Sequence, residues 1–210
     1  MHGNVWVVLT LFQKEDMRAG RELVEPDHLS DIVRRAQQLE SAALEELVDR
    51  YSSRLYGFLN RLIGCRDDAD ELLQEVFVRV VRTISHYVED GRFEAWLFRI
   101  ATNLARDRLR RLKRSPISGS INDADPESEN ERSFRQRDAS PRERLQQDEE
   151  LDRMQEAVGR LPQAEREVVM LRFYGEFSFA EIAEMMETPL GTALARAHRG
   201  LAKLRQWMES

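Results

Sequence analysis

Side chains capable of catalysis occur in this sequence, but never at a working spacing. His2, His28, His86 and His198 and the lone Cys65 form no metal-ligand pattern, and there is no Gly-rich phosphate loop or supported Ser/His/Asp set. The chain is therefore expected to be no enzyme, with no cofactor and no metal. What the sequence does organise is charge. Between Arg92 and Arg114 stand eight Arg/Lys against two acids, and between Thr192 and Arg205 four against none. Nucleic-acid phosphate requires such local positive potential. Asn122 to Glu131 carries five acids and no base, so the net charge of −6 averages over segments of opposite sign.

Two of these segments combine charge with a structural spelling. Ser178-Phe179-Ala180-Glu181 has the form of a capping box, which opens a short helix with Ile182, Ala183 and Met186 facing inward. Thr188-Pro189 then reads as an N-cap followed by proline at the first helical position. That is helix-turn-helix spacing, in which the second helix enters the major groove. On it Arg196 and Arg199 stand three apart and Lys203 extends their stripe, placed to read guanine edges or clamp phosphates. A solvated basic face would look the same by charge alone; the helix-turn-helix spelling favours DNA. In the second segment Phe93, Trp96 and Phe98 interleave with Arg99, Asn103, Arg106 and Arg110. Rings for unstacked bases and guanidiniums for phosphates suit single-stranded or distorted DNA, although any one of these aromatics is more simply a core residue.

The elements that hold these residues are expected to be helical throughout. Many Leu, Glu and Arg against 10 Gly and 6 Pro favour helix over sheet. A period of 3.6 starts at Leu29 and runs to Leu62, stopping at Gly64. The next helix spans Asp68 to Arg82, with Asp70, Glu71, Gln74 and Glu75 on a polar face and Leu72, Leu73, Val76, Phe77, Val80 and Val81 apolar. A helix over 93–112 completes one domain, and a second helical set begins at Leu145. Between them, 113–144 holds three prolines and few apolar residues, so it cannot offset its ordering entropy and reads as a flexible acidic linker. Residues 1–25 match no periodic template, and one reading starts translation at Met17. The single cysteine fits a reducing cytosol. The only apolar run, Val5 to Phe12, is too short for a membrane span and lacks the flanks of a signal peptide. The expectation is a soluble, cytoplasmic, all-α protein without membrane insertion.

Three stretches in order then carry a family likeness. Asp67 through Phe77 (DDADELLQEVF) resembles the core-polymerase-binding helix of the extracytoplasmic-function group of bacterial sigma factors. Phe93 through Leu109 (FEAWLFRIATNLARDRL) resembles its promoter −10 helix. Leu161-Pro162 and Glu165 through Tyr174 (EREVVMLRFY), followed by Ser178 to Ala183 and Gly191-Thr192, resemble its −35-binding helix-turn-helix. The resemblance covers about residues 29 to 208 and implies an alternative sigma factor that binds core RNA polymerase, recognises promoter DNA, helps melt it, and meets an anti-sigma factor as its usual partner. It further implies domains at 26–113 (region two), 114–144 (linker) and 145–210 (region four). It assigns Asp70, Glu71, Gln74 and Glu75 to the polymerase clamp. To the −10 element it assigns Trp96, Arg99, Asn103 and Arg106, with the loop Ser85 to Arg92 capturing a flipped base, and to the −35 element Thr192, Arg196, His198, Arg199 and Lys203.

The sequence departs from that pattern in its last helix. Glu187 stands where the family has glycine, Leu194-Ala195 where it has a Lys/Arg-Ser pair, and Ala193, Ala197 and Gly200 at inward positions that are usually bulkier at the first two. Weakened or altered −35 recognition is expected, with Arg196, His198 and Arg199 left to read bases. Two other functions share some of these features. A response-regulator-type transcription factor would need a βα-alternating domain upstream, where this chain reads as helical. A helical scaffold or anti-factor would bind polymerase without touching DNA.

Overall fold

The computed structural model describes residues 26–114 and 153–209. The expected extension 1–25, the acidic run 122–131 and residues 145–152 lie outside the described residues. The described residues form α1 (Pro26–Gln37), α2 (Ser41–Ile63), α3 (Arg66–Thr83) with a 3-10 turn at Ile84–His86, and α4 (Phe93–Arg114). After the gap come α5 over 153–160, α6 (Gln163–Phe173), α7 (Phe179–Met185) and α8 (Leu190–Met208). No strand occurs among the described residues.

The boundaries follow from local chemistry. The apolar period that continues through Leu39 is interrupted there, because Leu39 takes a left-handed φ of 59° and turns the chain from α1 into α2. It is exposed rather than packed. Gly64 ends α2 at φ 79°, where its N–H donates to the Asn60 carbonyl at 2.7 Å and glycine meets no Cβ penalty. Asp67 and Asp68 fill the first turn of α3, where the helix dipole favours anions.

Leu47, Leu55, Leu59, Leu62, Leu72, Val76, Val80, Leu97, Ala101 and Leu104 are buried and bind α2, α3 and α4 into one bundle, with α1 laid on α2. In the second set α6, α7 and α8 pack through Val168, Val169, Leu171, Ile182, Ala193, Ala197 and Leu204. The two sets also touch each other. Phe98 stands edge-on to Phe58 at 5.1 Å and to Phe177 at 5.3 Å between centroids. Gly57 admits Tyr174 so closely that a Cβ there would sit 2.1 Å from its hydroxyl oxygen. Arg54 bridges the seam, donating to Glu94 at 3.0 Å and to the Gly175 carbonyl at 2.8 Å. Arg166 of α6 donates to the Leu62 carbonyl at 2.9 Å, a cation at the carbonyl end of α2. Burial lowers the pKa of that guanidinium, and the Glu167 carboxylate partly opposes the shift.

Candidate functional site

The helix-turn-helix forms as the capping box requires. The Glu181 N–H donates to Ser178 Oγ at 3.3 Å, and the Glu181 carboxylate accepts from the Ser178 N–H at 2.7 Å. Two expectations shift here by one residue. Met185 is the buried methionine of α7 and Met186 only half-buried. Pro189, not Thr188, caps α8: its carbonyl accepts from the Thr192 and Ala193 N–H groups at 2.8 and 3.2 Å, and no side-chain cap bond forms. The turn needs a left-handed residue at Glu187, φ 50°, which accounts physically for the absent glycine being a departure.

Ala193, Ala197, Gly200 and Leu204 make the inward stripe of α8. The small residues are not defects. A Cβ at Gly200 would lie 3.0 Å from Val169 Cγ2, so glycine permits the close approach of α6 and α8. That approach brings a buried carboxylate against the cations of α8. Glu165, 7% exposed, accepts from Arg199 Nε at 3.3 Å and from Lys203 Nζ at 2.8 Å. Thr192 is half-buried and His198 exposed. Arg196 turns instead toward a cleft of about 350 Å³ between the two helical sets, lined also by Arg106, Arg110, Gln163, Glu167 and Met186.

On α4, spacings of three, four and three residues put Trp96, Arg99, Asn103 and Arg106 in one stripe opposite the buried Leu97, Ala101 and Ala105. Phe93 and Phe98 are core. Trp96 is half-buried and stacks on Tyr87 and Phe93 at 4.8 and 5.6 Å, a ring shelf beside the loop 85–92. The loop is stapled: Gly91 N–H donates to Glu89 at 3.0 Å, Arg92 N–H to Asp90 at 3.1 Å, and Ser30 Oγ to Glu89 at 3.1 Å. Burial, reinforced by Glu89 and Asp90, pushes the Tyr87 phenol up to about 12. Arg99 and Asn103 are exposed, and Asn103 Oδ1 accepts from Arg106 at 3.2 Å. Arg106 itself crosses to the other set and donates to Glu167, 2% exposed, at 2.8 and 3.3 Å. That carboxylate raises its pKa above the ordinary arginine value.

On α3, Asp70, Glu71, Gln74 and Glu75 are all exposed on one side. Glu71 receives Arg108 of α4 at 2.9 Å, and Asp68 also binds that guanidinium. Asp70 and Glu75 have no ion pair among the described residues. Sequence reasoning did not find Glu165 and Glu167. Both sit within a run of α6 whose inward and outward positions are mixed, and their partners lie 34 to 61 residues away along the chain. Among the described residues no group of His, Cys, Asp and Glu is placed to hold a metal, and no helix is long and apolar enough to cross a membrane.

This assembly, a three-helix core with a ringed cationic helix followed by a helix-turn-helix, matches known proteins in both parts. The Sigma-70 region 2 model matches residues 47–115 and the Sigma-70 region 4 model residues 151–204. ECF RNA polymerase sigma factor SigW of Bacillus subtilis is 30% identical over 182 residues, covering 83% of this chain and 93% of SigW. The ECF sigma-E factor of Haemophilus influenzae is 31% identical over 169 residues, covering 80% and 88%. In fold, the chain is similar to CnrH, solved in complex with the cytosolic domain of CnrY: TM-score 0.60 and 24% identity over 86% of this chain and 96% of CnrH. The protein is thus a sigma factor, and within that class it belongs to the ECF RNA polymerase sigma factors.

Proposed function

We propose that this chain directs transcription initiation by docking on core RNA polymerase through the acidic side of α3 and carrying promoter DNA on α4 and α8. The observation that carries the reading is the stripe Trp96, Arg99, Asn103 and Arg106 beside the Tyr87–Trp96 ring shelf. Rings at the edge of a cationic helix suit a base taken out of the duplex, and removing it from the stack costs a few kcal/mol that such a shelf offsets. In this reading 26–113 acts at the −10 element and 145–210 at the −35 element, with 114–144 as the tether between them. Helix α8 enters the major groove with Thr192, Arg196, His198, Arg199 and Lys203 as its polar contacts.

The cleft between the two sets, about 350 Å³, is too small for a duplex some 20 Å wide, whose major groove alone is about 12 Å across. Arg106 and Arg196 both face it, so engagement of both promoter elements requires the sets to part. A protein inhibitor fits the same economy of surfaces: CnrH and the sigma factor RpoE of Bartonella quintana were each solved with a protein bound, the latter an anti-sigma factor. A polymerase-bound initiator acts in the cytoplasm.

Reconstitution with core RNA polymerase tests the proposal: promoter-specific transcript starts are expected, and none with core enzyme alone. DNA footprinting without polymerase would instead indicate a free-standing repressor or activator. Polymerase binding with no starts would indicate a scaffold.

A further inference from the structure

Arg196, Arg199 and Lys203 lie along one flank of α8. Arg199 and Lys203 are drawn sideways onto Glu165, and Arg196 toward the cleft between the two helical sets. The stripe Ala193, Ala197, Gly200 and Leu204 points into the core, so helical spacing puts Gly191, Ala195, His198 and Ala202 on the opposite side. On the flank between that side and the core stripe stand Leu190 and Leu194, 48% and 43% exposed. Leu194 stands where the family likeness puts a Lys or Arg, so a half-exposed aliphatic side chain replaces a polar one at the edge of a groove-entering helix. An aliphatic side chain offers no donor or acceptor to a base edge.

We infer that Leu194, seconded by Leu190 and the small Ala195, makes α8 a reader of thymine C5-methyl groups, with Arg199 and Lys203 holding the flanking phosphates. This rests on the promoter-binding reading above and specifies what α8 selects. In the major groove thymine alone presents a methyl, and apolar contact is the way proteins recognise it. The selection has a repulsive half as well: leucine laid over guanine or cytosine strips water from donors and acceptors and returns no hydrogen bond. Glu165 is the positioning residue in this arrangement, since it holds Arg199 and Lys203 on the flank away from the leucines.

The experiment uses the full chain with core RNA polymerase and a library of promoters randomised upstream of the start. Thymines are expected in the selected upstream element. Replacing each by uracil removes only the methyl, and at one or two positions it should lower open-complex formation about fourfold. Leu194→Ala should show no such uracil effect, and Leu194→Lys should lose the thymine preference while keeping polymerase affinity. Uracil promoters as active as thymine ones with the wild-type chain would overturn the inference and leave the promoter-binding reading standing. So would a Leu194→Ala variant that keeps full uracil sensitivity, or one whose defect is in polymerase affinity, which would make the leucines a protein contact. A chain that starts no transcript with polymerase would overturn the promoter reading itself, and the methyl reading with it.

Discussion

The acidic side of α3 and the cationic sides of α4 and α8 are held in opposite ways. Asp70 and Glu75 stand in solvent with no ion pair among the described residues, whereas Arg106, Arg199 and Lys203 each meet a carboxylate that is itself almost wholly buried. An exposed charge is ready for a partner and costs nothing to present. A cation clamped by Glu165 or Glu167 must exchange one anion for another, so in the proposed function DNA phosphate competes with a preorganised intramolecular acceptor. The difference teaches that, under the proposed function, Asp70 and Glu75 leave the docking side of α3 open in the free chain while part of the DNA side is occupied, an order that favours docking first and DNA second.

The largest perturbation of that contrast should come from the seam. Phe98 is fully buried between Phe58 of its own bundle and Phe177 of the second set, so Phe98→Ala should cost about 3–5 kcal/mol in urea denaturation. The same variant should raise the radius of gyration in small-angle scattering, because the cross-set contact goes with the ring. Arg106→Ala follows at about 2 kcal/mol, since it strands a Glu167 carboxylate that Gln163 alone would still serve, at 2.9 Å. Glu167→Gln should cost less, because the freed Arg106 guanidinium is a quarter exposed and can rehydrate. Equal losses for the two variants would show that the pair is not asymmetric in burial and would erase the contrast with α3.

How far this was legible in the sequence depends on the distance over which the controlling interaction acts. Helices α2, α3 and α4 and the Ser178–Glu181 box follow from period and local capping, and they stand where the residues predict. The stripe on α4 is likewise a matter of spacing within one helix. The start of α8 shifted by one residue because proline at 189 fixes its own φ and leaves its carbonyl, not the Thr188 hydroxyl, to accept the first amides. The clamping of Arg199, Lys203 and Arg106 was illegible: α6 alternates buried Glu165 and Glu167 with apolar residues, and only the approach of α8 and α4 gives those acids a reason to be inside. By helix propensity alone Gly200 costs α8 about 1 kcal/mol against alanine. A Cβ there would sit 3.0 Å from Val169 Cγ2, so glycine eases the approach of α6 and α8 on which that clamp rests.

A smaller effect tests the turn that sets α8 on α7. Glu187 holds φ at 50°, a conformation that costs a side-chain-bearing residue about 1 kcal/mol. Glu187→Gly relieves that strain but frees the unfolded chain by about 0.5 kcal/mol, so a net gain of about 0.5 kcal/mol is expected in the urea midpoint. A loss would mean that the carboxylate contributes to the fold in a way its exposed position does not suggest.

The smallest effect on stability, and the sharpest on the comparison, belongs to Glu75→Arg. Glu75 is exposed on α3 and pairs with nothing among the described residues, so its reversal should move the unfolding free energy by less than about 0.5 kcal/mol. Affinity for core RNA polymerase should nevertheless fall by about tenfold or more, equivalent to 1.4 kcal/mol, if this side meets a basic surface. Arg199→Ala is the control: it leaves polymerase affinity unchanged and reduces the salt slope of promoter binding by about 0.9. A Glu75→Arg chain that folds normally and binds polymerase as tightly as wild type would show that the open acids of α3 are only a solvated face. The contrast between an available docking side and a clamped DNA side would then lose its first member.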